Sequence, residues 1–320
     1  MANIITRSNL SGLIPEPVSR EIMQGAVAES AVLKMARRLP NMSSKTQSIN
    51  VLDALPTAYF VNGEPTGAAA QEADFKQTTN MAWAGKKLHA EEIAVIVPIP
   101  EAVLDDADYD IWGEVRPRLS EAFGKVIDGA VLFGVNKPGT WRDGLVASAT
   151  TAGNVKEATA DIFADIMGED GLIALVEEDG YIPNGVMAAV KMRAKLRGLT
   201  DQTGQPIFKS DMQGATRYAL DGMDMYFPNN GAYDPAQALA IVGDWSQLIY
   251  AIRQDITFKI FDQGIIQNPT TGAIEYNLMQ NDMVALRAVM RLGWEIANPL
   301  TAYNADISDP FPFAVYTPAP

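Results

Sequence analysis

The chain has 320 residues, 48% apolar and 20% charged, enough to bury the core of one large or two modest domains and unlike a disordered composition. It has no cysteine, which excludes disulfides, thiolate metal sites and cysteine nucleophiles. The formal charge is −14, and the longest strongly apolar run, Ile93 to Ile99, is far below the roughly 20 residues a membrane-spanning helix needs.

Residues 1–46 read as an arm. Ser11, Gly12, Pro15 and Pro17 interrupt its first part, and a short helix follows with Ile22, Met23, Val27, Val32, Leu33 and Met35 as apolar positions. That is too little apolar mass for a core, so the arm must lie against something else. The first 50 residues carry six basic and three acidic side chains, leaving 19 basic and 36 acidic elsewhere, a charge of −17. A body this acidic repels phosphate and argues against tight nucleic-acid reading, so the basic arm is expected to dock on an acidic neighbour. Nothing at the start has the apolar core of a signal peptide.

Residues 47–100 read as two long strands around a loop, about Gln47 to Val61, interrupted near Leu55-Pro56, and Trp83 to Ile99. Between them lies NGEPTGAAAQEA, residues 62–73. Asn62 and Gly63 tolerate the positive φ of a tight turn, and Glu64, Pro65 and Gly67 continue into a small-residue tip with nothing to bury. Projection onto a neighbouring subunit explains such a tip, making Asn62, Gly63, Glu64, Pro65 and Gly67 the expected inter-subunit contact.

Residues 101–134 carry the clearest helix. Trp112, Val115, Leu119, Phe123, Ile127 and Val131 recur mostly at three- and four-residue spacing, with acidic residues at the start and Gly134 placed to end it. Pro117 is expected to kink this helix or to start a second one. Residues 135–273 read as a compact α/β region, with helices between 159 and 178 broken near Gly168 or Gly171 and a basic helix over 186–197. Strands are expected near 239–243, 248–252 and 256–261. NPTTG, residues 268–272, turns into a last long strand over 283–296, where Val284, Leu286, Ala288, Met290, Leu292 and Trp294 alternate with Arg287 and Arg291. The class is α+β.

Catalytic chemistry has little to work with. His89 is the sole histidine, and without a second histidine or a cysteine it can neither anchor zinc nor readily complete a triad. No phosphate-loop, dinucleotide or nucleophile-elbow motif is present. The run DDADYD places Asp106, Asp108 and Asp110 at alternate positions like a calcium loop. The match fails at Ile111, where glycine is needed, and at Pro117, where a bidentate glutamate is needed. Glu177 and Glu178 read as a solvated helix end. No catalytic, cofactor or metal residue is assigned.

The order of arm, long hairpin, long helix and α/β body resembles the tailed-bacteriophage major capsid family, the Hong Kong 97-type fold. KLHAEEIAVIVPIPEAVLDDADYDIWGEV, from Lys87, resembles the family's strand into the peripheral domain and its spine helix, whose packing positions here are Trp112, Leu119, Phe123 and Ile127. EAFGKVIDGAVLFG (121–134) resembles the end of that helix. VGDWSQLIYAIRQDITFKI, from Val242, and NDMVALRAVMRLGWEIANPLTAY, from Asn281, resemble its Gly-Asp-aromatic segment and closing strand.

The resemblance implies an N-terminal arm (1–46), peripheral-domain strands with an extended loop (47–100, the loop about 55–90), a spine helix (101–134), an axial domain (135–273), closing strands (274–300) and a return to the axial domain (301–320). It further implies homo-oligomeric hexamers and pentamers in an icosahedral shell around double-stranded DNA, bound without sequence specificity. Portal, maturation protease and decoration protein are the implied partners, with no membrane. Because the arm opens at Met1 with no long helical segment before it, scaffolding is expected from a separate protein. Some relatives link lysine to asparagine covalently. Lys76, Lys86 and Lys87 lie in or beside the loop, but neither the asparagine nor the glutamate of that chemistry finds a match. The alternatives are an encapsulin-type nanocompartment shell and a soluble enzyme with a carboxylate site.

Overall fold

A computed structural model describes residues 30–56, 58, 78–105, 111–199, 218–268, 270–300, 303–304 and 309–319. Helix α1 (Ala31–Met35) begins at Ser30, whose hydroxyl accepts the Leu33 N–H at 3.1 Å, and leads into the two-residue strand β1 (Arg37–Arg38). Strands β2 (Thr46–Ala54) and β3 (Ala82–His89) form an antiparallel ribbon. The first strand stops at Ala54, at the interruption expected near Leu55-Pro56, and most of the expected continuation to Val61 lies outside the described residues. The tip at 62–73, with Asn62, Gly63, Glu64, Pro65 and Gly67, lies outside the described residues, as does Lys76.

The single strand expected over 83–99 is two, β3 and β4 (Glu91–Pro100). The chain changes partner at Ala90, whose N–H donates to the Lys45 carbonyl at 2.8 Å. Before Ala90 the strand pairs with β2, and after it with the later strand Met283–Ile296 (β13). Apolar alternation runs across that exchange, so it leaves no mark in the pattern.

Helix α2 (Glu101–Asp105) precedes α3 (Ile111–Phe133), which continues through Pro117. A second helix does not start there. Proline removes the bond to the carbonyl four residues back, which belongs to the exposed Gly113, where water can take its place. Gly134, at φ +70°, stops the helix and donates its N–H to Ala130 at 3.1 Å.

Helix α4 (Leu145–Ala152), β5 (Val155–Glu157), α5 (Ile162–Met167) and α6 (Leu172–Glu178) follow. The helix expected over 186–197 is half strand. Gly185–Ala188 is β6, buried along its length between the later strands Ala240–Gly243 (β9) and Met223–Tyr226 (β8), and only Met192–Arg197 forms α7. A short, continuously apolar run suits a central strand as well as a helix, and here neighbours on both sides decide it.

Next come β7 (Ala219–Leu220), β8 (Met223–Tyr226) and β9 (Ala240–Gly243). A 3-10 turn at Trp245–Gln247 carries the chain into β10 (Leu248–Phe261). The expected gap between two strands is a pair of register shifts within β10, between Ile252 and Thr257. The small ladder β11 (Ile265–Gln267) and β12 (Ile274–Asn277), then β13 (Met283–Ile296) and β14 (Phe313–Thr317), complete the order.

Two larger sheets result. One runs β1-β10-β13-β4, and the other runs β5-β14-β9-β6-β8-β7. Residues 248–261, read from sequence with the compact α/β region, pair instead with the closing strand of the four-stranded sheet. Strand β13 is covered on both faces over most of its length. Beneath it Leu119, Phe123 and Ile127 of α3 are buried together with Leu286, Ala288 and Trp294, while Trp112 is half-buried at the margin. Each such large apolar side chain contributes about 1.5–3 kcal/mol on burial. Helices α5, α6 and α7 cover one face of the six-stranded sheet through Ile166, Leu172, Val176, Met192 and Leu196.

Candidate inter-subunit surfaces

The β2–β3 ribbon is built to be covered. Its sheet has only two strands, and a two-stranded ribbon is marginal alone in water. Along β2 only Val51 is buried, and along β3 only Leu88. Trp83 remains 60% exposed. The ribbon is held at its root: Leu88 packs with Met42, Ala90, Ile249 and Ala251. The Trp141 indole donates to the His89 carbonyl at 2.9 Å, and the Leu300 N–H donates to the Leu52 carbonyl at 3.1 Å.

Two lysines at this root were singled out by sequence. Lys86 donates from Nζ to the Ile296 carbonyl at 3.0 Å. Burial, opposed by Glu295 and assisted by Arg142, holds its ammonium below the ordinary lysine value. Lys87 points the other way along the strand and is exposed. His89 sits at the strand end with Nδ1 3.5 Å from Thr46 Oγ1, in no metal-binding company.

The arm meets the body at Asp128, a site composition did not reveal. Asp128 is fully buried on α3 and accepts from the Ala31 N–H at 2.8 Å, the Val32 N–H at 3.1 Å, the Ser30 hydroxyl at 2.5 Å and Asn230 Nδ2 at 2.5 Å. One carboxylate therefore satisfies the first turn of α1 and fixes the 228–232 turn to the same helix. An aspartate between Ile127 and Ala130, on an otherwise apolar stripe, was the available signal.

A second polar knot joins the two sheets. Asn154 donates from Nδ2 to Asp179 at 2.6 Å and to the Phe311 and Phe313 carbonyls at 3.2 and 3.3 Å. Asp179 also accepts the Phe311 N–H at 3.0 Å, and the Tyr181 hydroxyl donates to Asn298. Burial first, then the charge of Asp179, pushes the Tyr181 hydroxyl up to about 12. It therefore stays a neutral donor. Apart from Asn154 and Asp179, which are 25 residues apart, these partners lie over a hundred residues apart, so spacing gives no hint of them.

Among the described residues no group of three or more His, Cys, Asp or Glu side chains could hold a metal ion. The two buried carboxylates, Asp128 and Asp165, are consumed by structural hydrogen bonds. No described helix is long and apolar enough to cross a membrane. The features that stand out are surfaces seeking cover.

Comparison with known proteins agrees. The profile of the phage capsid family matches residues 11–302. The major capsid protein of Staphylococcus phage 80alpha is 24% identical over 301 residues, spanning 92% of this chain and 85% of that protein. A solved structure from Microbacterium phage Oxtober96 is 36% identical with a TM-score of 0.82, covering 98% of this chain and 99% of that one. One from Mycobacterium phage Adephagia is 31% identical at the same TM-score, covering 99% of each.

Proposed function

Because the chain belongs to the phage capsid family, we propose that it is the repeating subunit of a Hong Kong 97-type icosahedral shell, assembled as hexamers and pentamers around double-stranded DNA. It is a phage major capsid protein of the virion head. The family match over residues 11–302 carries the reading. The projecting ribbon supports it, since a two-stranded element with Trp83 exposed recovers its ordering cost only against a neighbour.

In this reading the four-stranded sheet with α3 is the peripheral domain, and α3 is its spine helix. The six-stranded sheet with α4 to α7 is the axial domain. Residues 47–100 supply the peripheral-domain strands and the extended loop (about 55–90), and residues 1–46 are the arm, which Asp128 ties to α3 at Ser30, Ala31 and Val32. A scaffolding protein, a portal and a maturation protease are the assembly partners in the host cytoplasm, with a decoration protein as a candidate on the outer face. The chain's acidity favours enclosing DNA over gripping it.

Negative-stain electron microscopy and size-exclusion chromatography of the purified full chain test the proposal. Closed, uniform shells eluting as megadalton assemblies are expected. A monomer or small oligomer under all assembly conditions would overturn it.

A further inference from the structure

The six-stranded module carries a basic patch, opposite in sign to the net charge of the chain. Lys191, Arg193, Lys195 and Arg197, at the start of α7 and along it, are all exposed, in a chain of net charge −14. Among the described residues no ion pair joins any of the four to a carboxylate. Arg193 lies over the Tyr218 and Phe227 rings, 4.5 and 5.4 Å from their centroids. Beside the helix an apolar groove of about 150 Å³ opens between α5, α7 and β7, walled by Ile162, Phe163, Met167, Leu196, Leu199 and Leu220. Phe163 is 46% exposed there. The groove holds about five waters' worth of volume, enough for a branched aliphatic side chain. An apolar centre with a charged rim is the anatomy of a protein interface.

The complement is on the same chain. In the turn after α6, Ile182 is 84% exposed, more than any other large apolar side chain among the described residues. Glu177 and Glu178, at the end of α6, are exposed too, and no ion pair holds either one among the described residues. Ile182 does not line the groove, so knob and groove do not meet within one chain. A knob and a groove on different patches of one surface make a head-to-tail contact between copies, and such contacts close into rings when the rotation permits.

We propose that Ile182 of one subunit seats in the groove beside α7 of the next, with Glu177 and Glu178 facing Lys195 and Arg197, and that this contact closes the rings of five and six. The proposal rests on the shell reading above. A second copy suits the patch better than DNA does, because phosphate has no use for an apolar groove and the acidic remainder repels it.

Three variants of the full chain test it against wild type. Ile182→Asp, at an exposed position that leaves folding intact, is expected to lower the yield of rings and shells at least about tenfold, equivalent to about 1.4 kcal/mol. Lys195→Glu with Arg197→Glu is expected to do the same, with an unchanged circular dichroism spectrum. Adding Glu177→Lys and Glu178→Lys to that pair, so that the charges swap in one chain, is expected to restore assembly. If wild type assembles and the first two variants assemble equally well, the contact is wrong while the shell reading survives. Failure of the swap to rescue also overturns the pairing. Normal assembly with lost binding of a 30-base-pair duplex, followed by fluorescence anisotropy, would assign the patch to DNA instead.

Discussion

Asp128 and Asp165 are the buried carboxylates among the described residues, and their environments shift them in opposite directions. For Asp128, burial outweighs four hydrogen bonds and raises the pKa. Its native state binds a proton more readily than the unfolded chain, so its contribution to stability grows as pH falls from neutral through that raised value. For Asp165, burial also acts upward, but the Thr159 N–H at 2.7 Å, the Thr159 hydroxyl at 2.8 Å and the Tyr316 hydroxyl at 2.8 Å outweigh it and hold the carboxyl below the ordinary range. Its stabilisation is complete above about pH 4 and is lost as pH falls through the depressed native value. Asp165→Asn places an amide against these donors. It should cost roughly 2 kcal/mol at pH 7 and make the decline of stability below about pH 4 shallower, as read from urea unfolding at several pH values. A variant with the acid profile of wild type would show that Asp165 does not carry this dependence.

At the scale of the element, α3 shows a local rule yielding to its surroundings. Pro117 should break a helix, yet α3 runs 23 residues across it because Leu119, Phe123 and Ile127 are locked beneath the four-stranded sheet and Gly113 is exposed. Pro117→Ala restores the missing N–H at an exposed position. It should raise stability by about 1–3 kcal/mol without changing the circular dichroism spectrum, as measured by denaturant titration. A destabilised variant would mean that the proline is needed at this point in the helix. Period was a sufficient guide where one face meets a core: β13 runs over 283–296 as read, and helices break between Met167 and Leu172 as read. It failed where partners decide, at Ala90, at Gly185–Ala188 and within β10. The anchors Asp128, Asn154 and Tyr181 were illegible for the same reason, since each is defined by groups far along the chain.

For the whole molecule, the two sheets share a chain that crosses between them three times, through α3 between β4 and β5, near Trp245, and between β13 and β14. The Asn154 knot holds the last of these crossings where it enters β14, because its amide reaches both the Phe311 and Phe313 carbonyls. Asn154→Ala would leave these acceptors and Asp179 short of a donor. A loss of about 2 kcal/mol is expected, with faster amide hydrogen exchange at residues 311–315 than elsewhere in the six-stranded sheet. Uniform exchange across that sheet would count against the knot as the tie between the modules.

The sheet orders also bear on when the protein can fold. Arg37 pairs with Ile249, β4 pairs with β13, and β5 pairs with β14. Both sheets therefore draw an early strand and a late one together. At about 5–20 residues per second, the ribosome needs on the order of 10–40 s to supply β10 after β1 has emerged. A nascent chain holds neither sheet complete until β13 and β14 have been supplied. Strand order alone thus ties completion of the body to its last two strands, and the finished subunit surface forms only after them.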